Sequence, residues 1–352
     1  MNTTVLLISY INCFSSSPLF NKQITSLNRC SFMCHFSSVV HGLTSVTKSR
    51  FEKCLSSPIL LTSSTVTIRS TYLNKNVFIN DTLFQSCTTS ESGGAIYAEG
   101  FGYYLNVGSC TFRECTALNT DTGGGGICSK EINITMNCCA FIGCKAYSAY
   151  SWLISVTKKG TETILYHVME TQSSGHETWG VGSTINGETI DVKHLNSSLY
   201  HSPNYQWSSF QFFISLNPVI SFSQMSYLTG NRMIMCQQNA IALFQYINFI
   251  SNQFSTFVVS STGTKCYFQN CCFISNTFSN LCGSKILWFE SSFFDTSSIN
   301  TAQCYVDSGC SFNSNFQNPM SPMNCDALIP WTIRIRTSSY LLVFLSQSFV
   351  IV

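Results

Sequence analysis

The side chains that could do chemistry in this sequence are few and scattered. Sixteen Asp and Glu are spread over 352 residues. Glycoside hydrolysis needs two carboxyl groups facing each other, roughly 5–9.5 Å apart, and a lyase wants an acidic calcium cluster with a basic partner. Asp121 has no acidic pair near it and reads as a solvated turn residue. Glu52, Glu114 and Asp295 each lie close behind a phenylalanine of a repeated motif, but adjacent copies carry no acid there. Nineteen cysteines form no Cys-x-x-Cys. Cys138-Cys139 and Cys271-Cys272 are adjacent, so on a strand their sulfurs point to opposite faces and cannot share one zinc. His35 stands beside Cys34, while His167, His176, His194 and His201 lie in an irregular middle and could gather only through folding. No catalytic residue, metal ligand or cofactor site is expected.

The elements that would have to position such groups are β-strands. Charged residues make up 10% of the chain, against roughly 25% in an ordinary soluble domain, and aromatics reach 14%, with 28 Phe. There is ample material for a large apolar core, and the surface must solvate itself with Ser, Thr and Asn. A net charge of +2 gives no footprint for nucleic acid. No stripe of helical period is sustained beyond two turns.

Internal repetition organises the chain. Cys110-Thr-Phe112-Arg-Glu-Cys115 returns 29 positions later as Cys139-Ala-Phe141-Ile-Gly-Cys144. Upstream, Phe84 to Cys87 and Phe51 to Cys54 keep the second half. Downstream, Asn replaces the last Cys in Phe249 to Asn252, Phe273 to Asn276 and Phe312 to Asn315. Phe244, Phe268 and Phe289 each precede the next motif aromatic by five positions, which places Phe294 in the series. Cys110 and Phe112 share a strand face; Cys115 is out of phase, so if it also points inward the chain must bend before it. A strand, a corner and an inward small residue, repeated every couple of dozen residues, is one edge of a β-helix coil. Asn suits the corner because stacked amides hydrogen-bond as a ladder; Cys there packs as a small apolar residue. Gly93-Gly94 before Ala95-Ile96, and Gly124-Gly125 before Gly126-Ile127, mark tight turns entering strands, where positive φ or close backbone approach is needed.

These motifs resemble the polymorphic outer-membrane-protein repeat, with its paired GGA[ILV] and FxxN tetrapeptides, and the Cys-, Phe-, Ser- and Asn-rich β-helix surface proteins of parasitic protists. The resemblance covers roughly residues 50–148 and 236–318. It implies surface display, adhesion and antigenic variation, and no catalytic residues.

The expectation is therefore an all-β chain, a right-handed parallel β-helix forming a single-stranded solenoid over residues 25–318, with 149–235 as divergent coils or loops. Residues 1–24 read as an N-terminal cap or weak signal-like segment, and 319–352 as a tail that could associate weakly with a membrane. Two accounts of the cysteines stand open. Disulfides between adjacent coils (Cys110 with Cys139, Cys115 with Cys144) are geometrically allowed and fit an extracellular place; free core thiols would fit an intracellular one. The expected function is a cell-surface or secreted interaction protein whose partner is a protein or glycan. The alternative is a carbohydrate-active β-helix, pectate-lyase-like or glycan-binding.

Overall fold

A computed structural model describes residues 5–6, 11–12, 26–33, 40–41, 45–62, 75–100, 103–119, 123–146, 152–155, 162–172, 174–175, 183–186, 189–199, 208–213, 218–237, 241–262, 265–282, 287–295 and 304–312. Every described element is a strand, and the strands pair in parallel. The chain winds as a β-solenoid in which each coil pairs in register with the one before and after it.

Side-chain alternation builds the first ladder. Val77, Leu105 and Ile134 stand in register, as do Ile79, Val107 and Met136, and all six are buried. That second column continues through Leu165, Val192, Ile220, Phe244, Phe268 and Phe289. The motif phenylalanines form a second ladder: Phe32, Phe51, Phe84, Phe112 and Phe141 are consecutive partners. Their rings stack at centroid distances of 4.6–5.2 Å. The column passes through Glu170, Ser197 and Met225 and returns to rings at Phe249, Phe273 and Phe294, whose backbone pairs on with Phe312. Strands within 149–235 thus pair in the same register as those around them. A third ladder carries Ile59, Ile96 and Ile127.

The glycine motif holds that third ladder close. Gly93 has φ +73, where side chains are disfavoured, and a Cβ on Gly94 would lie 2.1 Å from the carbonyl oxygen of Gly125 on the next coil. That approach lets the Gly94 N–H donate to Gly124 O at 3.2 Å, and the Ala95 N–H to Gly126 O at 3.0 Å.

The bend expected between Phe112 and Cys115 lies at Glu114, whose φ is +53. It belongs to a regular device. Left-handed residues occur in pairs five positions apart, at 48/53, 81/86, 109/114, 138/143, 167/172, 194/199, 222/227, 246/251 and 270/275. The first of each pair precedes the inward ladder position by three residues and the second follows it by two. For residues other than glycine, this conformation costs roughly 1–2 kcal/mol each. It is offset by hydrogen bonds from corner to corner, such as Ser86 N–H to Arg113 O and Glu114 N–H to Ile142 O, both 2.8 Å.

After each corner comes an inward residue. Cys54, Cys87, Cys115 and Cys144 are buried there as free thiols. Cys115 donates to Phe84 O on the preceding coil at 3.6 Å and Cys144 to Phe112 O at 3.5 Å. Asn252 and Asn276 make the expected amide ladder: Asn252 Nδ2 donates to Asn276 Oδ1 at 2.9 Å and to Met225 O at 2.9 Å, and Asn276 Nδ2 donates to Phe249 O at 2.8 Å. Asn315 and the tail 319–352 lie outside the described residues. Cys138 is itself a corner residue, so Cys138-Cys139 straddles a bend rather than lying on one straight strand.

Candidate functional site

Because each coil repeats the same bends, each corner position forms a column on the outer surface. In most coils the first corner holds a small or polar residue: Lys48, Asp81, Ser109, Cys138, Asn270, Ser291. In four consecutive coils it holds a ring instead: His167, His194, Phe222 and Tyr246. The two imidazoles stack at 4.5 Å and 4°, His194 meets Phe222 at 5.7 Å, and Phe222 stacks on Tyr246 at 5.1 Å and 0°. Tyr166 sets its ring edge-on to both histidines, and Lys193, paired with Asp191 at 2.8 Å, lies 5.8 Å from the Tyr166 centroid. The second corner of two of these coils holds Leu199 and Tyr227.

Between the two corners most outward strand positions are small or amide-bearing, and the large apolar Met169 and Ile250 stand at the ends of their columns. Asn196, Gln224 and Asn248 are consecutive partners, and so are Thr171, Ser198 and Ser226. Ser198 Oγ donates to Thr171 Oγ1 at 3.1 Å, and Gln224 Nε2 to Ser226 Oγ at 3.4 Å. Exposure separates rim from floor. Phe222 (49%), Leu199 (53%) and Tyr227 (56%) stand out, whereas Ser226 (3%) and Asn248 (2%) are covered. The result is a shallow face running along the solenoid axis, with one rim of rings, a second rim that is apolar at Leu199 and Tyr227 and polar at Gln172 and Ser251, and a largely hydroxyl-and-amide floor ending in Met169 and Ile250. At about 3.3 Å per residue the rims are at most about 16 Å apart.

The rings in the stacked column lie nearly parallel, so each covers its neighbour's face and turns edges outward. Burial and the adjacent His167 and Lys193 push the His194 imidazole below its ordinary range, keeping it neutral at neutral pH.

The interior beneath this face is the least apolar part of the core. Glu170 occupies a ring position of the second ladder, fully inside, and Ser183 Oγ lies 2.8 and 2.9 Å from its two carboxylate oxygens. The hydroxyls of Thr163 and Ser197 are buried and have no hydrogen-bond partner among the described residues. A second outward aromatic column, Tyr267, Trp288 and Tyr305, runs nearby at centroid distances of 5.8 and 4.3 Å. It lies beside a chain from Gln245 through Gln269 to Glu290, bonded at 2.6 and 2.7 Å.

The repeat residues singled out from the sequence are thus brought together, but inside. Phe51, Phe84, Phe112, Phe141, Phe249, Phe273 and Phe294 form the interior column, with Cys87, Cys115, Cys144 and Asn252 buried beside it. They hold the scaffold rather than a ligand. The outward residues Phe222, Tyr246, Leu199, Tyr227, Asn196 and Gln224 were not singled out. Their signal was positional: each lies a fixed number of residues from an interior position whose own residue, Ser197, Met225 or Phe249, must first be aligned. Among the described residues, no group of three His, Cys, Asp or Glu could hold a metal ion. No described helix is long and apolar enough to cross a membrane, which says nothing of a β-barrel. In comparison with known proteins, no family model, curated protein or solved structure matches this chain.

Proposed function

We propose that this β-solenoid is a non-catalytic interaction protein, displayed at a cell surface or secreted, that docks a partner on the rimmed face between His167 and Tyr246. The observation that carries this is the exposed column of rings at strained corners. A corner of this kind suits Asn or Gly best, and Asn270 sits in the same column two coils after Phe222. Phe222 and Tyr227 incur both backbone strain and exposure, a combination expected where function rather than stability selects the residue. Ring stacking along the column returns about 0.5–1.5 kcal/mol per pair, yet it gives Leu199 and Tyr227 no reason to be apolar. The resemblance of the repeat to surface adhesins points the same way. The dispersed carboxylates support the absence of hydrolase or lyase activity, and the internal position of Glu170 keeps it from any surface substrate.

The free thiols bear on location. Sealed in the core, they need no reducing compartment to survive, and they suit an intracellular place equally well. Labelling of intact cells with reagents that cannot enter separates the two.

The docking test replaces Leu199, Phe222, Tyr227 and Tyr246 together by Asn, a residue that relaxes left-handed corners. The variant is expected to melt at or above the wild-type temperature and to lose at least ten-fold in adhesion to intact cells. Unchanged adhesion, or turnover of pectin, arabinan or mucin-type glycans by the wild type, would sink the proposal.

A further inference from the structure

Three features of the rimmed face bear on what it accepts, and the inference rests on the docking reading above. The first is charge. Across its four outward columns, from His167 to Ser251, the described residues include no Asp, Glu, Lys or Arg; Lys193 and Asp191 stand outside the rim, neutralising each other. An acidic glycan, a phosphopeptide or a nucleic acid would leave its charge uncompensated on such a surface, so the partner is uncharged. The second is hydrogen-bonding chemistry. The floor offers the part-exposed Asn196, Gln224, Ser198 and Thr171, groups that both donate and accept, between the apolar Met169 and Ile250 at its two ends. Ligand groups that also both donate and accept, such as sugar hydroxyls, can satisfy this floor in any order. The third is periodicity. Floor and rim repeat once per coil, at the strand spacing of about 4.8 Å. An extended peptide advances about 3.3 Å per residue and slips out of register within two coils. A pyranose unit in an extended chain advances by close to one coil.

We propose that the occupant of this face is a linear, uncharged polysaccharide lying parallel to the solenoid axis, with about one sugar unit over each coil between His167 and Ser251. The floor amides bond its hydroxyls. The rims, whose ring faces are covered by one another, act as walls that shield those bonds from water and contribute the hydroxyls of Tyr227 and Tyr246.

Affinity electrophoresis of the full-length protein at pH 7.5 tests this, with soluble galactomannan, xyloglucan or mixed-linkage β-glucan cast in the gel and polygalacturonate and heparin as anionic controls. Retardation is expected with at least one neutral polymer and with neither anionic one. Substituting Asn196→Ala and Gln224→Ala together should cut that retardation at least ten-fold while leaving the melting temperature within a few degrees. Asn196→Ser with Gln224→Ser, which keeps hydroxyls on the floor, should restore part of it. Retardation by the anionic polymers alone, or by none, overturns the inference, as does retardation that both floor variants retain in full. If the neutral polymers fail while the four-Asn rim variant still loses cell adhesion, the docking face stands and its partner is a protein, so only the present inference falls.

Discussion

At the scale of single residues, cysteine and asparagine share one structural position but solve it differently. Asn252 has its side chain fully buried and satisfies the Leu228 N–H, the Met225 carbonyl and Asn276 at once. Cys115 fills the same post-corner place with a weak donor and no strong acceptor. The thiols are therefore packing groups, and their chemistry is suppressed. Burial drives Cys87, Cys110, Cys115 and Cys144 well above the ordinary thiol range and pushes Cys128, Cys139 and Cys271 up to about 12. Reaction needs the thiolate, so at pH 8 these thiols stay protonated and closed to reagent. Thiol titration of the native protein should find Cys138, part-exposed at its corner, reacting before the buried set. The buried set should react only on denaturation, without reductant. Buried cysteines that stay blocked in the denatured, unreduced protein would mean disulfides and overturn the core-thiol reading.

At the scale of elements, the corner column makes the face sensitive to acid. The folded protein holds His194 below its ordinary 6.5, first through desolvation and then through His167 and Lys193. A depressed histidine takes up its proton more readily in the unfolded chain. Stability is therefore complete above about 6.5 and declines as pH falls through that value toward the folded-state pKa. His194 would then carry its charge inside the ring stack, 4.5 Å from the His167 ring and beside the cationic Lys193. Melting temperature is expected to fall between pH 7.5 and 5. The pair His167→Asn and His194→Asn, whose side chains suit a left-handed corner, should flatten that slope. An equal slope in wild type and variant would remove the histidines from the explanation.

At the scale of the whole molecule, the core is two ring-filled blocks joined by a poorer one. Phe32 to Phe141 form one unbroken stack. Two parallel stacks, Phe244-Phe268-Phe289 and Phe249-Phe273-Phe294, form the other. Between them the second ladder carries Glu170, Ser197 and Met225, and the buried hydroxyls of Ser197 and the nearby Thr163 have no partner among the described residues. A buried hydroxyl without a partner costs about 1–3 kcal/mol, and each ring replaced by a smaller or polar side chain forfeits apolar burial. In a stack where each coil contacts only its neighbours, such losses stay local. Native-state hydrogen exchange should show strand amides of 162–198 at least ten-fold less protected than those of 103–113 and 265–274. Uniform protection along the solenoid would contradict this. The coils expected to be weaker are also those that present the rimmed face, so the proposed docking surface lies over the least apolar part of the core.

Much of this architecture was readable without coordinates. The recurrence of Phe112 and Phe141 at a fixed period, with a small residue three places on, requires a strand, a bend and an inward side chain. Period-two alternation leaves no other way to bury both. The Gly93-Gly94 and Gly124-Gly125 pairs announced the close approach that their backbones make. What remained hidden was everything that depends on register rather than residue type. Glu170, Ser197 and Met225 do not look like phenylalanine, so the stretch 149–235 showed no repeat, although its strands continue the same ladders. His167, His194, Phe222 and Tyr246 carry no local mark of a left-handed corner, since aromatic side chains ordinarily avoid one. They are 24–28 positions apart in sequence and become neighbours only because each coil returns the chain to its starting point about 4.8 Å further on. Inward positions are chosen by burial, which leaves a pattern in residue type. Outward positions are free of that constraint, so only the winding of the solenoid decides which of them meet.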